Sequence, residues 1–94
     1  MLSLNTAYDA QMKLRDHLKK LRKSQKLSVD KLTVKSGVPN ATIRKFESTG
    51  NISFRQFLML FEALHNIDDI VKLCETSESE PSSIDEVLSR NVKL

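Results

Sequence analysis

Asn40, Ala41, Thr42, Arg44 and Lys45 fall within six consecutive residues of this 94-residue chain, interrupted only by the apolar Ile43. These side-chain types suit the edges of nucleic-acid bases. An Asn amide matches the donor and acceptor of adenine N6/N7, and Arg or Lys reaches guanine O6/N7. Ala and the Thr methyl pack on a thymine methyl, and each good bidentate pairing discriminates by about 1–3 kcal/mol. An α-helix is the element that carries such a run into a major groove. The run must then be helical, with Ile43 and Phe46 turned inward and its polar side left open. Phosphate contacts are expected from Ser28, Asn51 and Arg55, which sit at helix starts or supply a flanking cation.

The elements that must position this run are legible around it. Ser28 is a good N-cap for a short helix over Val29–Lys35 carrying Leu32 and Val34. Gly37 supplies a left-handed turn, and Pro39 starts the next helix, Asn40–Ser48. Two short helices around a 3–4 residue turn containing Gly match the helix-turn-helix pattern. Upstream, Asn5 or Thr6 caps a helix over Ala7–Gln25, with Asp9 in its first turn and Leu14, Leu18 and Leu21 as an apolar stripe. Lys13, Lys19, Lys20 and Lys23 of that helix read as a solvated face. Downstream, Gly50 stops the reading helix, and Ser53 with Gln56 is a capping box for a helix to Leu64. That helix is apolar on nearly every side, which suits either a central helix or an oligomer face. A fifth helix is expected over Asp68–Glu75.

Composition changes at Thr76. TSESEPSS reads as a flexible linker, and Ser83-Ile84-Asp85-Glu86 opens a short amphipathic element, too short to be stable alone. The chain thus divides into residues 1–75 and an acidic tail, 76–94. With two Gly and two Pro in the whole chain, an all-α fold is expected. Residues 1–60 carry 12 Lys/Arg against 4 Asp/Glu, while residues 61–94 carry 3 against 8. A basic body with an acidic end fits a nucleic-acid binder with a second, different surface.

Several classes are set aside. Cys74 is the single cysteine, so no intramolecular disulfide forms, as expected of a cytoplasmic protein. It reads as a small core residue rather than a nucleophile. His17 and His65 have no partners at metal-ligand spacing, and His65 suits a helix C-terminus. There is no Gly-rich phosphate loop, no secretory signal pattern and no apolar run of about 18 residues to cross a membrane. No catalytic residue, metal or cofactor is expected, and the chain does not read as an enzyme.

The segment from about Arg15 to Leu64 resembles the Xre/Cro family of helix-turn-helix regulators. The family's run of residues is present as Leu32, Gly37-Val38, Ile43, Glu47 and Gly50. The resemblance implies a five-helix, lambda-repressor-like domain. It places Asn40, Ala41, Thr42 and Lys45 at base-reading or groove positions and Ser28 and Arg55 at phosphate-facing ones. It also pairs Arg22 with Glu47 as a clasp between the first and third helices. Two positions depart from the family. Val29 stands where many members have a phosphate-contacting Gln, and Thr33 stands where many have Ala in a tightly packed slot. The apolar fourth helix and the tail SSIDEVLSR further resemble small regulators of the HipB type. That implies a homodimer repressing its own operon at a palindrome and binding a HipA-like kinase toxin. A protein-interaction module, with the helix-turn-helix core kept for packing, is the alternative.

Overall fold

Local side-chain caps set the start of three of the helices. The structure, a computed structural model describing residues 5–75, has five α-helices and no strand among those residues. Thr6 caps α1 (Ala7–Ser24): its Oγ1 accepts from the Asp9 amide at 3.1 Å, and the Asp9 carboxylate accepts from the Thr6 amide at 3.1 Å, completing a capping box. Ser28 caps α2 (Val29–Ser36) by accepting from the Lys31 amide. Ser53 caps α4 (Phe54–Leu64) by accepting from the Gln56 amide. The Gln56 side chain returns to the Ser53 hydroxyl rather than to its backbone, so the expected box at this position is half formed. Between them lies α3 (Asn40–Thr49), and the last element is α5 (Asp68–Glu75).

Three boundaries differ from expectation by a residue: α1 ends at Ser24, α2 runs on to Ser36 and α3 to Thr49. Pro39 is the N-cap of α3, with extended ψ of 146°, rather than its first helical residue. Pro has no side-chain acceptor, so α3 begins without a side-chain cap.

Two glycines end helices in the left-handed region, Gly37 at φ 83° and Gly50 at φ 85°. Gly50 is also hemmed in: a Cβ there would lie 2.1 Å from Met12 Cε. The α1–α2 turn makes the same kind of stop without glycine. Lys26 has φ 58°, its amide donates to Lys23 O, and the Leu27 amide donates to Arg22 O. This pair of bonds is a Schellman motif, whose left-handed position glycine fills at least cost. A non-glycine residue there costs about 1–2 kcal/mol. Lys26→Gly is therefore expected to raise the melting temperature by several degrees in a calorimetric scan; an unchanged or lower value would show that the Lys side chain contributes as much as its backbone costs.

The core gathers Leu18 from α1, Leu32 from α2, Val38 from the turn, Ile43 and Phe46 from α3, and Leu60, Phe61 and Leu64 from α4. Each fully buried side chain of this size contributes roughly 1.5–3 kcal/mol. Ile67 and Ile70 pack α5 against this cluster. Thr33 Oγ1 is buried and has no hydrogen-bond partner, which costs about 1–3 kcal/mol relative to a satisfied group.

Two apolar expectations, at Leu14 and Cys74, are corrected, and α4 shows part of its apolar excess to the surface. Leu14 belongs to the α1 stripe by period, yet it is 41% exposed. Phe54 is 75% exposed at the start of α4. Cys74 is exposed rather than in the core, because α5 turns Ile70 inward, next to the preceding Ile67, and leaves Val71, Leu73 and Cys74 outside. The linker, Ser83–Arg90 and the rest of the tail lie outside the described residues. Among those residues no helix is long and apolar enough to cross a membrane.

Candidate nucleic-acid interface

The placement of α3 follows from what it buries. Ile43 is 0% and Phe46 2% exposed, so the helix is pinned through one side, and Ala41, Arg44 and Lys45 are left on the surface. Thr42 is half-buried beside them. Ala41, Thr42 and Lys45 join Asn51, Ser53 and Gln56 around one shallow groove of about 420 Å³. The structure thus brings together three expected base-reading residues and one expected phosphate contact. Ser53 and Gln56 were not among the expected site residues; their sequence signal was spent on capping, and only the turn after Gly50 brings them alongside α3.

Three side chains from one face of α1 hold the far end of α3. Gln11 Nε2 donates to Gly50 O at 2.7 Å, and Arg15 Nη1 donates to Ser48 O at 3.4 Å. Arg22 donates from Nε to Glu47 Oε2 at 2.7 Å and from Nη2 to Glu47 Oε1 at 2.9 Å. Its Nη1 donates to Leu27 O at 2.8 Å, tying in the α1–α2 turn. Both side chains of this bidentate pair are only 11% exposed. The last carbonyls of a helix lack intrahelical partners, and α1 supplies a donor to one of those of α3, at Ser48, and another to the carbonyl of the capping Gly50.

The near end is held differently. Asn40 is expected to be open for a base, but its Nδ2 donates to Asp30 Oδ1 on α2, and its Oδ1 accepts from Arg44 Nε at 2.7 Å. The amide is thus engaged on both sides. Asn40 is restrained by these contacts, with one N–H and one lone pair left over, and Asp30 is a residue the sequence reading overlooked.

The remaining expected contacts are dispersed. Ser28 is exposed, with its oxygen engaged as the α2 cap. Asn51 Oδ1 accepts from Gln11 Nε2 at 3.3 Å, and the Asn51 backbone N–H donates to Thr49 Oγ1. Arg55 is exposed on α4 but lines a different groove, with Phe54, Leu58, Met59, Glu62 and Ile67. It is not gathered with the α3 residues.

A third, apolar groove of about 670 Å³ runs between α1 and the start of α4, lined by residues including Ala7, Ala10, Leu14, Phe54 and Phe57. Among the described residues no group of three His, Cys, Asp or Glu side chains is arranged to hold a metal ion. No known family model, curated protein or solved structure matches this chain.

Proposed function

We propose that this protein is a sequence-specific DNA-binding regulator of the helix-turn-helix type, with α3 as the helix that enters the major groove. The observation that carries this reading is the division of α3. Ile43 and Phe46 are buried, and the opposite surface offers Ala41, Arg44 and Lys45, with Thr42, beside a groove continuous with Asn51. The excess of cations in residues 1–60 supports a polyanionic partner. The α2–turn–α3 pair, with Gly37 in the left-handed region, supports a helix-turn-helix reading.

One such helix reads too few base pairs for a useful address, so the working species is a homodimer on a palindrome, with half-sites about 34 Å apart. Val71 and Leu73 on α5 are exposed and apolar in the single chain, which supports α4 and α5 as part of the face a second copy covers. Repression then follows from overlap with a promoter. An antitoxin role beside a HipA-like kinase rests on the HipB-type resemblance, and the tail it invokes lies outside the described residues.

The competing reading is an interaction module that uses its fold for packing alone, and the apolar groove lined by Leu14, Phe54 and Phe57 favours it. Selection of duplexes from a random pool separates the two. The expected result is a two-fold symmetric motif with half-sites about one helical turn apart. A pool that emerges with no enriched motif from protein that is folded would count for the interaction module.

A further inference from the structure

The proposed DNA reading assigns bases to exposed side chains, and the contacts at the start of α3 refine that assignment. Asn40 and Arg44 are four residues apart and therefore share a face of α3. Asp30, in the first turn of α2, reaches across to Asn40. The three side chains form a relay: Asp30 Oδ1 accepts from Asn40 Nδ2, and Asn40 Oδ1 accepts from Arg44 Nε at 2.7 Å. No direct ion pair joins Asp30 to Arg44, so the amide is the link between them.

We propose that Asp30 is a positioning residue that fixes the base preference of Arg44 through Asn40, and that the base so read is guanine. The inference rests on the DNA-binding reading above. An Asn reads adenine by giving an N–H to N7 while its carbonyl accepts from N6. Here the carbonyl already accepts from Arg44 and the amino group already donates to Asp30, so one lone pair and one N–H remain, in directions those two contacts fix. Arg44 is in the opposite situation. Its Nε is held, and no described acceptor takes Nη1 or Nη2. A guanidinium offers its N–H groups in a fixed fork that matches paired acceptors such as guanine O6 and N7. Holding Nε in the free protein removes rotamer freedom that the side chain would otherwise lose on binding. Asp30 thus aims Arg44 without touching DNA, and its carboxylate matters as an acceptor rather than as a charge.

The test uses the full chain and duplex selection from a random pool with wild type, Arg44→Ala, Asn40→Ala, Asp30→Ala and Asp30→Asn. The expected wild-type motif holds one guanine per half-site that Arg44→Ala abolishes. Asp30→Ala and Asn40→Ala should each lower enrichment of that guanine by about tenfold. Asp30→Asn keeps a carbonyl acceptor and should restore it. Equal loss in Asp30→Ala and Asp30→Asn would make the effect one of charge and overturn the relay. So would an Asn40→Ala variant that relaxes an adenine and leaves the guanine intact, or an Asp30→Ala variant with the wild-type motif. A second measurement needs no DNA: solvent exchange of the Arg44 Nε proton by NMR should be slow in wild type and Asp30→Asn and faster in Asp30→Ala. Equal exchange in all three overturns the proposal even where DNA binding is intact. A folded wild-type chain that enriches no motif removes the DNA reading and this assignment together.

Discussion

Glu47→Ala is expected to lower the melting temperature on the order of 15 °C. Removing one member of a buried, hydrogen-bonded ion pair costs roughly 3–5 kcal/mol, and each kcal/mol shifts the midpoint of a domain this size by about 4–8 °C. The low end applies, because both side chains keep 11% exposure. The loss has two parts. Arg22 would retain its charge in a largely desolvated place, and the tie between α1 and the end of α3 would go. An internal comparison makes the test sharp. Arg15 and Asp16 also form an ion pair, at 2.9 Å, but with exposures of 24% and 66%. Surface pairs contribute about 0–1 kcal/mol, so Asp16→Ala should melt within a few degrees of wild type. Arg22→Ala should cost at least as much as Glu47→Ala, since it also strips the donor from Leu27 O. The double variant should cost less than the sum of the two, because each single change already breaks the pair. If Glu47→Ala melts with Asp16→Ala rather than far below it, the pair is ornament and not a clasp.

What the sequence disclosed and what it withheld divide along a physical line. Thr6, Ser28 and Ser53 were legible as caps because an N-cap acts over three residues, within one stretch of chain. Gly37 and Gly50 were legible as stops for the same reason. The inward turn of Ile43 and Phe46 followed from helical period alone. The left-handed Lys26 was not legible, because no local residue type announces it. Leu14 shows the limit of period in another way. Period tells which residues share a face, and not how much of that face a neighbour covers. Asn40 is the most instructive case. Its residue type fits adenine, and by sequence nothing contradicts that. Its structural partner Asp30 is ten residues away on another helix, and only the approach of α2 to α3 brings the two together. Arg22 and Glu47 are 25 residues apart, and only a family resemblance, not spacing, put them side by side.

The second large effect concerns the reading helix. Asn40→Ala combined with Lys45→Ala should lower affinity for the selected duplex by a hundredfold or more, with the fold intact. Lys45 loses a specific contact of its own and Asn40 loses its hold on Arg44, and each specific contact is worth about 1–3 kcal/mol of discrimination. Neither side chain is buried in the core, so the melting curve should move little. Salt dependence separates the roles of the cations. Binding weakens with salt at a slope set by the number of phosphates neutralised, about 0.9 per contact. A cation on phosphate, when removed, weakens all sequences alike and flattens the slope by about one; a cation on a base relaxes specificity at its own position. Lys45 lines the groove with Ala41 and Thr42, and its loss should fall mainly on specificity. Arg55 sits apart, beside Glu62. If α4 approaches the backbone, Arg55→Ala flattens the slope and leaves the motif unchanged. If Arg55→Ala changes neither, α4 stands clear of the duplex and the phosphate contacts belong to Ser28 and Asn51. A double variant at Asn40 and Lys45 that keeps full sequence selectivity would remove α3 from the groove altogether, since no other described helix presents a comparable run of base-matching side chains beside a concave surface.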